Sequence, residues 1–327
     1  MIWGKISPPR IPWQRSILTY STPQRLTHRL STLLNRRLGY SAQLRLFFFP
    51  YLIGTLVLVA LPALAAGWIA FTRYNAIAAP VWTGLDNFQA MLGSAFARSG
   101  LRNSLIFVLT AVPLRMLGAL GLALLLQRKG RTFGLLRAAI YLPTIIPEVA
   151  YALIWLWIFN PLYGPLNAIL SGLGLIGPDW LAEPGTARLA IVIMLGFQIG
   201  EGFVILLAGL QNIPRAYFES AEVDGASAWQ KFWGITLPLL LPVLLLLTFR
   251  DLIVSLQATF TPSFVMTYGG PYYATTFAPL LIYELAFDFF DFGMASAAMV
   301  VLYLLLALVM AGILNLIDGF KVIDGLG

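Results

Sequence analysis

Six apolar runs, each about as long as a bilayer-crossing helix, constrain this chain more than any other feature. They extend from Leu46 to Phe71, Ser104 to Leu126, Ala138 to Phe159, Ala187 to Leu210, Pro238 to Phe260 and Ala295 to Ile317. A helix needs about 20 such residues to cross the hydrocarbon layer, where every backbone group must be satisfied within the protein. Charged residues make up only 11% of the chain and hydrophobic ones 59%, against roughly a quarter charged in soluble domains. The expected fold is an all-α integral membrane protein with six transmembrane helices. The segment from Pro262 to Met294 is mixed, with a short helix expected over Leu280 to Phe287.

The loop charges orient the chain. The first 45 residues carry eight cations (Lys5, Arg10, Arg15, Arg25, Arg29, Arg36, Arg37 and Arg45) and no carboxylate. The segment from Gln127 to Arg137 adds Arg128, Lys129, Arg131 and Arg137. The alternate loops, Asn160 to Thr186 and Pro262 to Met294, hold Asp179, Glu183, Glu284, Asp288 and Asp291 and no cation. Cytoplasmic loops are the basic ones, so the chain is expected in the cell membrane with both termini on the cytoplasmic side. The organisation is then a basic cytoplasmic tail over 1–45, a membrane domain over 46–317 and a short cytoplasmic end over 318–327. The net charge of +7 follows from this asymmetry and gives no reason to expect nucleic acid. Attraction of the tail to anionic lipid is a secondary reading.

Several chemistries are excluded by residue count. There is no cysteine and a single histidine, His28, so neither thiol chemistry nor a histidine or thiolate metal site is expected. No Gly-x-Ser-x-Gly or His-Glu-x-x-His pattern is present, which leaves only a carboxylate-based membrane enzyme as a remote alternative.

The polar segment over 211–238, between the fourth and fifth runs, carries Arg215, Glu219, Glu222, Asp224 and Lys231. Pro214 suits the start of a helix through Val223, Gly225 suits its left-handed end, and Ser227 with Gln230 has the spacing of a capping box. Helix, sharp turn, helix is expected. From these residues alone, two amphipathic helices resting on lipid and a docking element for a soluble partner are equally open.

Glu219-Ser220-Ala221, then Gly225, then Ile235-Thr236-Leu237-Pro238 resembles the EAA loop of the permease subunits of ATP-binding-cassette importers. Only Ser220 departs from that pattern, a small residue for a small one. The stretch Trp82-Thr83-Gly84-Leu85-Asp86-Asn87-Phe88, with Asn103-Ser104-Leu105, Tyr141-Leu142-Pro143, Phe159-Asn160-Pro161 and Gly269-Gly270-Pro271, is similar to permeases of the maltose and glycerol-3-phosphate kind. The resemblance implies a cytoplasmic coupling helix between transmembrane helices four and five. Tyr217, Glu219, Ser220, Ala221, Asp224, Gly225 and Ala226 would meet the ATPase there. It also implies two copies of a separate ATPase subunit carrying ATP and Mg, a second permease subunit, expected to be a different six-helix chain, and an extracytoplasmic solute-binding protein. Having no Gly-x-x-x-x-Gly-Lys-Ser/Thr loop, the chain is expected to bind no cofactor itself. The alternative within the family is a permease for another solute, such as a polyamine or molybdate.

Five ionisable residues stand out within the apolar runs: Arg115, Glu148, Glu201, Arg250 and Asp251. Such residues are costly in a membrane and are functional candidates by default. They are expected either to pair across helices, as Arg115 with Glu148 or Arg250 with Glu201, or to face a polar pathway for a sugar-like solute. From the family resemblance, Gln198, Glu201, Gln257 and Thr259 are expected in that pathway.

Overall fold

The structure, a computed structural model, describes residues 40–319, with side chains described from 44 to 315. The basic tail through residue 39, with His28, and the end from Phe320, with Lys321, lie outside the described residues. The chain divides into two compact units, Met1–Ala65 and Ala66–Gly327. The described part of the first is helical: α1 (Tyr40–Thr55) passes through a π-helical turn, Leu56–Ala60, into α2 (Leu61–Ile69), which runs past the unit boundary. The helical stretch Leu44–Ile69 is long and apolar enough to cross a membrane, and Phe47, Leu58 and Leu64 on it are exposed.

The second unit opens with a small antiparallel hairpin, β1 (Thr72–Arg73) and β2 (Val81–Trp82), then α3 (Asp86–Gly93) and the long α4 (Ala95–Leu125). Next come α5 (Arg131–Tyr141), a 3-10 turn over Leu142–Ile145, α6 (Glu148–Ile158), α7 (Pro165–Gly172), α8 (Pro184–Gly196) and α9 (Gly200–Asn212). The polar segment forms α10 (Arg215–Val223) and α11 (Ala228–Lys231), and a π turn over Phe232–Thr236 leads into α12 (Leu237–Gln257). After α13 (Phe260–Pro262) and α14 (Ala278–Tyr283), α15 (Phe292–Gly319) ends the described chain. Among the described residues four helices are long and apolar enough to span a membrane, or six if each of two bent helix pairs counts as one span.

Small residues allow these helices to pack. Lipid tails are as apolar as leucine, so association rests on close van der Waals contact rather than on hydrophobic transfer. Ala119 and Ala123 of α4 are fully buried in one cluster with Phe203 and Leu206 of α9 and Leu240 of α12. Towards the other end of α4, Phe107 meets Phe277 edge-on at 5.4 Å, in a cluster with Leu281 and with Ala298 of α15.

Three expectations from the apolar runs are corrected by the structure. The third run is not one straight helix, because its pieces, Arg131–Ile145 and Glu148–Ile158, meet at 104°. Ile146, which precedes Pro147, is extended at φ −71, ψ 130, as the clash with a following proline ring dictates. The second run begins nine residues earlier than its apolar stretch, at Ala95, because Ser94 caps the helix by accepting from the Ala97 amide at 3.3 Å. The fifth does not open at Pro238, since the helix is continuous over Ala228–Thr267. The π turn over Phe232–Thr236 stands immediately before the residue pair that includes this proline, where the regular bond ladder lacks a donor.

The family-like motifs serve as clamps. The Asn103 amide donates to the Tyr273 and Thr276 carbonyls at 2.8 and 3.1 Å, and the Ser104 hydroxyl accepts from the Ala278 amide at 2.6 Å. Together they fix the stretch from Tyr273 to Ala278 that follows Gly269-Gly270-Pro271, while Asn87 donates to the Ala70 and Thr72 carbonyls, both at 2.8 Å. Asn103→Ala strands the buried Thr276 carbonyl. It should lower thermal stability of the purified protein by about 1–3 kcal/mol and speed proteolysis within 269–276; an unchanged digestion pattern would remove Asn103 as the clamp.

Candidate functional site

Both bent helix pairs start a second helix part-way along an apolar run, and each start carries a carboxylate. Glu148 is the first residue of α6, and Glu201 is the second residue of α9. Unpaired amides at a helix start favour negative charge, so the breaks lower the cost of holding these groups at membrane depth. The second pair, Pro184–Gly196 and Gly200–Asn212, bends by 43°. Its pivot is pressed against the other break. A Cβ on Gly200 would lie 2.9 Å from the Tyr141 Cα and 3.0 Å from the Ile140 carbonyl, so only glycine allows the two bends to touch.

Between them lies a polar cavity of ≈ 150 Å³ whose wall includes Arg115, Glu148, Gln198, Glu201, Arg250 and Asp251. The five charges singled out in the apolar runs converge there. Arg115 and Asp251 pair at 3.1 Å with side chains only 10% and 4% exposed. Arg115 also donates at 3.1 Å to the Gln198 carbonyl, which lies in the bend between α8 and α9, where no continuous helical ladder is available to take it up. Arg250 pairs with Glu201, both half-exposed, and Glu148 accepts from the Thr261 hydroxyl at 3.0 Å. Arg115 Nε and Asp251 Oδ2 are buried without a hydrogen-bond partner. The exposed and half-buried part of the wall offers the Glu148 and Glu201 carboxylates, the Arg250 guanidinium and the Gln198 amide, a set that matches the mixed donors and acceptors of a polyhydroxy solute.

Of the two pairings considered from sequence, Arg250 with Glu201 is present. Arg115 with Glu148 is replaced by Arg115 with Asp251, because the break at Pro147 turns Glu148 towards Thr261. Gln198 and Glu201 line the cavity, whereas Gln257 and Thr259 are not part of its wall. Thr259 is fully buried, its hydroxyl donating to the Leu256 carbonyl at 2.6 Å, and Gln257 is exposed on α12. The wall also includes Thr144 and Ser255, which sequence reasoning missed. Helical spacing from Asp251 puts Ser255 on the same face.

At the other end of α9 the polar segment forms the expected helix, turn and helix. The first helix ends in a Schellman arrangement: the Ala226 amide donates to the Ala221 carbonyl at 2.8 Å and the Gly225 amide to the Glu222 carbonyl at 3.1 Å. Gly225 is left-handed at φ +74, as that motif requires. Ser227 and Gln230 form the reciprocal capping box, and Lys231 bridges back to Glu222 at 2.8 Å. No residue of α10 is buried. Tyr217, Glu219, Ser220, Asp224 and Gly225 are exposed, while Ala221 and Ala226 are half-buried. The result is a rigid, projecting helix with Tyr217 52% and Val223 89% exposed, a bare face that a protein partner could cover.

Elsewhere, the Tyr268 hydroxyl donates to Asp288 at 3.0 Å, and this bond raises the tyrosine's pKa. Burial, followed by the nearby Asp288 charge, raises the pKa of Glu284.

Residues 119–320 match the family described as the binding-protein-dependent transport system inner membrane component. The chain is 36% identical over 271 residues to the probable ABC transporter permease protein YesP of Bacillus subtilis, covering 80% of this chain and 86% of that protein. It is 34% identical to the trehalose/maltose transport system permease protein MalF of Thermococcus litoralis, covering 82% and 90% of the two. Its fold is similar to a chain in the crystal structure of a bacterial ABC transporter involved in the import of the acidic polysaccharide alginate. That likeness has a TM-score of 0.69 at 22% identity and covers 88% of this chain and 98% of the other.

Proposed function

The chain belongs to the binding-protein-dependent transport system inner membrane component family, and from that premise we propose that it is the permease subunit of an ATP-driven sugar importer. The observation that carries the sugar class is the cavity, a polar site deep in an apolar bundle, together with relatives such as the trehalose/maltose permease. Its formal charges, two positive and three negative, sum to −1, which suits a neutral or cationic sugar better than a phosphate ester.

In this reading all six apolar segments cross the membrane and both termini are cytoplasmic. At ≈ 150 Å³ the cavity is smaller than the ~300 Å³ and upward of ordinary ligand sites. A second permease subunit would supply the opposite wall, and a solute-binding protein would deliver sugar from outside. The chain binds no nucleotide. Two ATPase subunits holding ATP and Mg would grip α10 through Tyr217, Glu219 and Ala221 and move it. Because α9 runs from the bend at Gln198 to the coupling segment, a rigid push on α10 acts on the same helix that carries Glu201. That continuity is how ATP-driven motion would open and close the site.

Glu201→Gln tests the assignment. It keeps the shape of the side chain and removes one exposed charge, so stability should change by about 1 kcal/mol or less. Sugar uptake should fall at least tenfold while ATPase association is retained. Wild-type uptake would take Glu201 out of the pathway, and loss of association would mean that its role is assembly.

A further inference from the structure

Two cavities outside the polar site meet at the end of the bundle that carries α10. One, of ≈ 620 Å³, is walled by Arg128, Lys129, Arg137 and Arg215 together with Gln127 and Phe218, with no carboxylate. The other, of ≈ 810 Å³, is an open apolar groove between α4, α5 and α8, walled by residues such as Leu122, Leu126, Leu136 and Val192. Its one charged wall residue, Arg115, is already paired with Asp251.

The cavities adjoin through consecutive residues. Leu126 and Leu136 line the groove, and Gln127 and Arg137 line the cationic pocket. Arg137 ties the junction together by donating to the Leu126 carbonyl at 2.9 and 2.7 Å and to the Arg128 carbonyl at 2.7 Å. This leaves Arg128, Lys129 and Arg215 to meet an anion.

We propose that an anionic phospholipid binds here, its headgroup phosphate in the cationic pocket against the start of α10 and one acyl chain in the apolar groove. A polycationic pocket at the polar end of an intramembrane apolar groove is complementary to an amphiphile with one charged end and one hydrocarbon end. A helix of another protein would fill the groove but leave the cations unmatched. Arg215 and Phe218 belong to α10, so the headgroup braces the coupling helix against the loop that follows α4.

The test uses the full chain in neutral detergent, with retained lipid counted by native mass spectrometry after exposure to phosphatidylglycerol or phosphatidylcholine. Wild type should retain phosphatidylglycerol preferentially. Arg128→Gln and Lys129→Gln should each lower that retention about fivefold, in line with the attraction of single cations to anionic lipid, whereas Arg128→Lys should keep it. Ala139→Phe, which fills the groove, should lower retention of both lipids. Arg137 is left intact because it holds the Leu126 and Arg128 carbonyls. Equal retention of the two lipids, or indifference to the charge changes, overturns the proposal. So does displacement by inorganic phosphate alone, which would mark a soluble-anion site, or an Ala139→Phe variant that is monodisperse and retains lipid normally, which would mark the groove as a protein-facing surface.

Discussion

Asp251→Leu should destabilise the chain by about 3–5 kcal/mol and abolish recovery of folded protein from membranes, the usual result of removing one partner of a buried ion pair. Asp251 is 3% exposed and Arg115 9%, so water cannot replace the lost carboxylate. The guanidinium cannot discharge itself by deprotonation. Without Asp251, Arg115 would keep only the Gln198 carbonyl as its hydrogen-bond acceptor. Combining Arg115→Leu with Asp251→Leu should restore much of the loss, because two apolar residues leave no stranded charge. Thermal unfolding of the single and double variants measures this coupling, and additive losses would show that the pair is not the unit. The pair of Arg250 with Glu201 gives an internal contrast. Both of its side chains are about half exposed, so breaking it should affect transport far more than stability. The cavity thus combines a buried pair that holds the bends together with an exposed pair that can exchange partners with a solute.

The helical class was legible from the apolar runs, and the local structure of the polar segment over 211–238 was legible almost residue by residue. Local rules decide both: run length against bilayer thickness, and Pro214, Gly225 and the Ser227 capping box at the ends of short exposed helices. The cavity was legible only in part. The charged residues were visible as exceptions in apolar runs, but their partners depend on two breaks of different origin. Pro147 accounts for the first by making Ile146 extended, although its 104° angle follows from packing that hydropathy does not record. The second has no proline and rests on the contact of Gly200 with the Tyr141 backbone, a relation between residues far apart in sequence. For the same reason the Arg115 partner was misassigned to Glu148. Spacing gives depth along a helix, whereas pairing depends on rotation, and a break resets rotation for everything beyond it.

Gly225→Val should leave the chain folded and sugar-competent but reduce ATP-driven uptake by at least tenfold. A Cβ at this position would meet nothing within 4 Å, so the substitution causes no clash and its effect comes only from the backbone. The left-handed conformation at φ +74 costs an L-residue about 1–2 kcal/mol, and more for one branched at Cβ. The chain can relieve this strain by unwinding the exposed turn, because no residue of α10 is buried to hold it. Unwinding would undo the paired amide bonds from Ala226 to Ala221 and from Gly225 to Glu222, and with them the fixed angle between α10 and α11. Gly225→Asn should behave nearly as wild type, since asparagine tolerates the left-handed region, whereas Gly225→Ala should fall between. A graded loss of ATPase association in the order Asn, Ala, Val, at constant thermal stability of the membrane portion, would identify the turn as the element that presents the helix. If all three variants couple normally, the rigid turn is not what the ATPase reads, and the docking surface must lie on side chains of α10 whose placement does not depend on Gly225.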